Sequence, residues 1–305
     1  MKFEVEKARL KWLLDDQYEV LKKSRAILAG GCVTSLFTNV EINDFDLYFR
    51  DKEGLSTQIA GMFSQEYGYY QLHHLTNKAL MYIARGSDNP CQLIVFDFFK
   101  DAHAVFDRFD FTANMAAFDF ETEEFVFHED FWKDLSARRI NINPKTDYPI
   151  ITALRVDKYK QKGYTISKAQ YLKLMLMINS LEIDSWESMR DQVGGMYGYS
   201  FEEIFKPQDG EEFSIEKAIE KIEKLSLIRE RWYDKPAEFA GNNPEIKEIM
   251  EKWKDILHEK QIEWYNSKNV ERFNQWTQIA SSYNEADDGG IDWLDSVVTN
   301  PFDKE

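Results

Sequence analysis

The sequence predicts an α+β head followed by a mainly helical body, on three observations. Strand-like and helix-like runs alternate through the first half. Beyond about residue 150 the apolar residues keep almost entirely to helical spacing. A glycine-broken apolar strand is also followed closely by an acidic one, Asp44-Phe-Asp46. A chain of 305 residues is long enough for two domains. The expected division is a head over 1–148, a helical body over 149–283, and an acidic tail with an apolar docking segment over 284–305.

The elements follow in order. Phe3, Val5, Leu10, Leu13, Leu14, Tyr18 and Leu21 recur at steps close to three and four, so residues 3–24 read as one amphipathic helix. Arg25 to Ala29 is a buried strand, Gly30 and Gly31 break it, and Cys32 to Thr38 has short-helix character. Asp44 to Arg50 alternates acidic with apolar side chains as a half-buried strand does, and its two aspartates point the same way. Leu55 to Tyr67 reads as a helix, and Tyr69 to Leu75, Ala79 to Ala84 and Gln92 to Phe98 as three strands. Periodic runs at Tyr171 to Leu181, Ser185 to Val193, Ile215 to Trp232 and Glu245 to Tyr283 make up the body. Behind them Ile291, Trp293, Leu294, Val297 and Val298 follow an acidic linker and could dock on the body or on a protein partner.

Composition excludes several classes. The N-terminal stretch carries charge in every turn, so it is neither a signal peptide nor a membrane anchor. Two cysteines cannot make a disulfide framework or a cysteine zinc site, and they suggest a reducing, cytoplasmic setting. A net charge of −16 argues against tight nonspecific nucleic-acid binding. One local basic stretch, Arg138, Arg139, Lys145, Arg155, Lys158, Lys160 and Lys162, is where a polymer would engage. The sequence has no phosphate-binding G-x-x-x-x-G-K-[ST] loop and no G-x-S-x-G elbow. The five histidines form no metal-binding spacing.

The residues that carry chemistry are acids and glycines. Nucleotidyl transfer requires little covalent help from protein, but it needs a divalent cation, Mg²⁺ or Mn²⁺, to neutralise phosphate oxygens. The period of two along a strand puts Asp44 and Asp46 on one face, where they could share that cation. A D-x-D pair alone also occurs by chance on surface strands. Upstream, however, lies Leu28-Ala-Gly-Gly-Cys-Val-Thr-Ser35, a bend whose glycines let backbone amides approach a phosphate at the start of a helix.

At these residues the chain resembles the nucleotidyltransferase superfamily of CCA-adding enzymes and bacterial poly(A) polymerases. That family's Gly-Gly turn and D-x-D strand are matched by Gly30, Gly31, Asp44 and Asp46, and its R-R-D-F-T-I-N-A run by Arg108-Phe-Asp-Phe-Thr-Ala-Asn-Met115 with Asp119 beyond. Arg138, Arg139, Ile140, Pro144, Leu154, Arg155, Lys158, Tyr159, Gly163, Tyr164 and Ile166 continue the likeness, which covers residues 25–166. It implies a head with a mixed β-sheet flanked by helices, binding a nucleoside triphosphate such as ATP. It also implies a third metal carboxylate on a neighbouring strand, for which Asp97 is the candidate; a register that put Gln92 there would remove that carboxylate. Gly30, Gly31 and Ser35 would then cradle phosphate, with Asp110 and Arg155 supporting nucleotide or acceptor. The family's Arg-Asp pair on the diglycine helix is Thr34 and Ser35 here, and its second arginine is Phe109.

The expected function is metal-dependent transfer of a nucleoside monophosphate to a hydroxyl, with a tRNA or other RNA 3′ end as the acceptor the resemblance implies. A protein side chain or small molecule is the acceptor that acidity favours. The competing expectation is a catalytically decayed head serving as an interaction protein, motivated by the missing Arg-Asp pair, the uncertain third carboxylate and the apolar tail.

Overall fold

The computed structural model describes residues 2–63, 70–75, 78–84, 89–193, 211–225 and 241–284. The expected helix end at 64–67, the run at 226–232 and the apolar tail segment lie outside the described residues.

The helix expected over residues 3–24 is two, α1 (Glu4–Leu14) and α2 (Gln17–Lys23). Asp15 between them takes φ 44° and ψ −124°, outside the helical region, which ends the right-handed helix there. The break lets Leu10 and Leu14 of α1 and Tyr18 and Leu21 of α2 enter one core.

A seven-stranded sheet runs in the order β3-β4-β5-β2-β1-β6-β7. Its strands are β1 (Ile27–Ala29), β2 (Phe45–Tyr48), β3 (Tyr70–Leu75), β4 (Ala79–Ala84), β5 (Cys91–Ile94), β6 (Ala116–Asp119) and β7 (Glu124–Phe127). Strands β2 and β5 pair in parallel, and their neighbours pair antiparallel, so the sheet is mixed, as expected. Strand alternation then sorts the two faces. Leu28, Leu47, Leu93 and Phe118 face the larger core, which α1, α2, α3 (Gly31–Thr38) and α4 (Lys52–Met62) cover. Ile27, Ala29, Tyr48 and Ala117 face the other way, against Val105 and Phe106 of α5 (Ala102–Phe106).

Beyond β7 come α6 (Phe131–Ala137), β8 (Arg139–Ile140), α7 (Pro149–Gln161), β9 (Thr165–Ile166), α8 (Lys168–Asn179), α9 (Trp186–Val193), α10 (Ile215–Leu225) and α11 (Pro244–Asn284). Proline at the start of α7 suits a position whose N–H has no helical partner. Helix α7 has two apolar sides. Ile151 packs with Trp186, Met189, Val193 and Ala218, whereas Val156 packs with Phe111, Ile140, Ile142 and Leu174. This second cluster fixes α7 to the head. Ile246, Ile249, Met250 and Leu257 of α11 return to the large head core. Among the described residues no helix is long and apolar enough to cross a membrane.

Candidate active site

The site lies on the smaller-core face of the sheet, where β1 ends and α3 begins. Gly30 has φ 92° and ψ −143°, a combination essentially closed to residues with a Cβ. Its amide donates to Ala116 O at 3.1 Å, and Thr34 N donates back to Gly30 O at 3.2 Å. The Thr34 hydroxyl also donates to Gly30 O and Ala113 O, at 3.3 and 3.4 Å, which ties the bend to the loop before β6. Gly31 is exposed, with nothing among the described residues within 4 Å of where its side chain would stand. Ser35 is half-buried, one turn into α3. A Gly30→Ala variant should lose about 1–3 kcal/mol of stability from backbone strain, read as a lower denaturation midpoint. Gly31→Ala, free of positive φ and of close neighbours, should be close to neutral.

The acid pair stands beside this bend. A methyl group at Gly30 would lie 3.6 Å from Asp46 Oδ2 and 3.6 Å from the Phe109 ring. Asp46 sits opposite Ala29 on β1 and opposite Gln92 on β5. Asp44 directly precedes β2, and its Oδ2 accepts from Gln92 Nε2 at 3.0 Å. Asp46 is pushed up to about 7, chiefly by burial and next by the Asp44 charge, with Arg155 and Lys158 opposing.

Those opposing cations belong to a third part of the site. Arg155, Lys158 and Lys162 follow one another at steps of three and four along α7 and its C-cap, so they share a face. Arg155 and Lys158 hold Asp46 down, and Asp44 in turn supports the charged form of Lys162, whose value is lowered by burial and by Lys158. The basic residues of α7 therefore lie within electrostatic range of the acid pair. Arg155 is aimed by Asp110, which is 5% exposed and accepts from Arg155, from the Thr152 hydroxyl at 2.7 Å and from the Thr146 hydroxyl at 3.3 Å. Asp110 and Arg155, both expected to support nucleotide or acceptor, instead bond to each other, and Asp110 is enclosed by the donors around it.

Asp97 lies elsewhere. Strand β5 ends at Ile94, and Asp97 lines a recess of about 350 Å³ with Phe98, Phe99, Ala104, Asp107, Arg108 and Lys145. Its Oδ1 accepts from Phe98 N at 2.9 Å, and Oδ2 lies 3.7 Å from Arg108, which also pairs with Asp147. The strand position beside Asp46 is occupied by Gln92. Among the described residues no three His, Cys, Asp or Glu side chains gather as a metal site. The structure thus brings Gly30, Asp44 and Asp46 together, with Arg155 held on Asp110 within electrostatic range of Asp46, and leaves Asp97 out of that group. The physical reason is parity as well as strand length: Gln92, Ile94 and Phe96 share the site's face, so Asp97, at an odd step from Gln92 and beyond the end of β5 at Ile94, does not join it.

A hard divalent cation still fits the two acids that remain. Mg²⁺ commonly takes one or two carboxylates and fills its other positions with substrate phosphates and waters. A carboxylate pair whose second charge is disfavoured until a cation arrives is suited to that role.

The order of elements, the glycine bend and the acid pair resemble a nucleotidyltransferase head. Residues 4–138 match the family described as Gabija anti-defense 2 family protein. The chain is 38% identical over 244 residues to the "Gabija anti-defense 2" protein of Bacillus phage SPbetaL7, an alignment covering 80% of this chain. The chain spans 60% of that relative's length. Among solved structures, a CCA-adding enzyme with ATP aligns over 73% of this chain and 53% of its own, at 16% identity and TM-score 0.46. A tRNA nucleotidyltransferase with a primer tRNA and an incoming ATP analogue aligns over 81% and 62%, at 15% identity and TM-score 0.44. The Thermotoga maritima CCA-adding enzyme with tRNA aligns over 70% and 50%, at 14% identity and TM-score 0.42.

Proposed function

We propose that the chain is a metal-dependent nucleotidyltransferase that moves a nucleoside monophosphate from a nucleoside triphosphate to an acceptor hydroxyl. The observation that carries this reading is the Asp46 carboxylate beside the Gly30 bend, with Asp44 next to it and the cations of α7 within electrostatic range. In the reaction the acceptor oxygen bonds to the α-phosphorus, the bond to the β-phosphate oxygen breaks, and pyrophosphate leaves with the electron pair. A Mg²⁺ or Mn²⁺ held by Asp44 and Asp46 would supply charge neutralisation of the phosphate oxygens. Gly30, whose own amide is taken by Ala116 O, would shape the bend that lets the Gly31 amide approach phosphate, with Ser35 adding a hydroxyl from the first turns of α3. Arg155, Lys158 and Lys162 would balance the remaining anionic charge.

The name of the phage relative suggests the setting. We place the acceptor within the Gabija defence, as a protein hydroxyl, with a tRNA or other RNA 3′ end as the alternative suggested by the CCA-adding enzymes. Purified protein should label either Gabija components or bulk tRNA when given each α-³²P-labelled NTP with Mg²⁺ or Mn²⁺. Label no greater than that from the Asp44→Ala/Asp46→Ala chain would refute transfer.

A second reading, a noncatalytic interaction protein on this fold, is favoured by Gln92 standing where a third carboxylate would sit. It predicts capture of a protein partner by native and Asp44→Ala/Asp46→Ala chains alike, with no NTP bound by either. Partner capture lost on deleting residues 286–305 would assign it to the apolar tail.

A further inference from the structure

We infer that this site holds a single divalent cation, and that Gln92 is the residue that makes it so. The inference rests on the nucleotidyltransferase reading above and concerns how its metal site is built. Asp46 and Gln92 are register partners on adjacent parallel strands, so their side chains leave the same face of the sheet side by side. Asp44 reaches that group from just before β2 and is tied to Gln92 through its Oδ2. Three side chains therefore converge, and two of them carry charge.

Two cations bridged by the same oxygens need more negative charge than one, because ions about 4 Å apart repel strongly unless carboxylates lie between them. An amide at the Gln92 position cannot provide that charge. It also occupies one Asp44 oxygen as a hydrogen-bond donor, which fixes that carboxylate's orientation and makes the oxygen a weaker ligand. Asp97, the acid expected in that role, is engaged with Arg108 in a separate recess. No other His, Cys, Asp or Glu among the described residues completes a group of three.

Positive charge reaches the site by another route. Arg155, Lys158 and Lys162 couple electrostatically to the acid pair from α7. Fixed cations of this kind repel a second mobile cation and compensate phosphate charge in its place. Gln92 is thus a positioning residue: it orients Asp44 for one ion and withholds the charge that would recruit another.

The test is a count of bound Mn²⁺ by electron paramagnetic resonance, using the full chain in excess over each of the four α,β-methylene nucleoside triphosphates. The native chain should hold one Mn²⁺ per bound analogue, and Gln92→Glu or Gln92→Asp should hold two, a doubling. Two ions in the native chain overturn the inference while leaving the transferase reading intact. One ion in both variants, with melting curves that show them folded, also overturns it, since Gln92 would not then limit the count. No Mn²⁺ in the native chain with any analogue removes the metal site itself, and the inference falls with the reading beneath it. The native count alone can refute the inference if either variant fails to fold.

Discussion

Asp46→Asn should abolish nucleotidyl transfer, by roughly 10³-fold or more, and at the same time make the ligand-free protein more stable above neutral pH. Both effects come from one carboxylate. Asp46 is held at about 7 because burial and the Asp44 charge disfavour its ionised form, whereas in the unfolded chain it ionises near its ordinary value of 3.8. The folded state therefore keeps its proton where the unfolded state has lost one, so stability falls as pH rises between these values. Below about pH 4 both states are protonated and the cost is absent. Above about pH 7 it is fully expressed, on the order of 1–3 kcal/mol after allowing for partial solvent access. Asparagine has no charge to lose, so its advantage should be nil at pH 4, grow through pH 5 and 6, and level off above 7. Urea midpoints of native and Asp46→Asn chains at pH 4.5 and 8 measure this, and equal differences at both values would contradict it. Mg²⁺ with a bound triphosphate analogue should reverse the ranking by stabilising only the native chain, by about RT ln(1 + [L]/Kd).

The same residue shows what the sequence could reveal. The diglycine bend and the D-x-D pair were legible because both rest on local rules: a glycine where φ is positive, and a period of two along a strand. Their proximity was an expectation, and the sheet supplies it by pairing β1 with β2, which brings Asp46 opposite Ala29 beside the bend. The third carboxylate was not legible. Whether Gln92 or Asp97 stood beside Asp46 depended on the register of β5 against β2, which tertiary pairing sets, and the two residues lie an odd number of steps apart and so cannot share a face of one strand. The register and the end of β5 at Ile94 leave that position to Gln92. The single N-terminal helix was misread for a related reason. Apolar spacing continues through Asp15 and Asp16, and only the positive φ at Asp15 divides it. Lys158 and Lys162 were visible as parts of a basic stretch and a motif. Their electrostatic reach to the acids became apparent only once the packing of Val156 fixed which side of α7 meets the core. Thr146 and Thr152, which hold Asp110, gave no signal, since hydroxyls in a loop and on a helix announce no partner.

Asp110→Ala is expected to cost more stability than any other single change near the site, about 2–4 kcal/mol. The carboxylate is 5% exposed and accepts from Thr146, Thr152 and Arg155, and its own carbonyl accepts from Asn143 N at 2.8 Å. Removing the side chain takes an acceptor from two buried hydroxyls, of which Thr152 keeps Tyr148 O at 2.9 Å, and takes from the Arg155 guanidinium, 26% exposed, the carboxylate it pairs with. Arg155→Met should cost less, because a partly exposed arginine leaves behind an aspartate that two hydroxyls still satisfy. The double variant should then be less damaged than the sum of the two, with a coupling of about 1–3 kcal/mol in a double-mutant cycle. Function should separate the partners differently. If Arg155 acts on the triphosphate and Asp110 only aims it, Asp110→Asn keeps the fold and raises KM for the nucleotide about tenfold, whereas Arg155→Met raises it by as much without a matching loss of stability. Equal KM values in native and Asp110→Asn chains would show that Arg155 finds its place unaided, and Asp110 would then be a core residue alone.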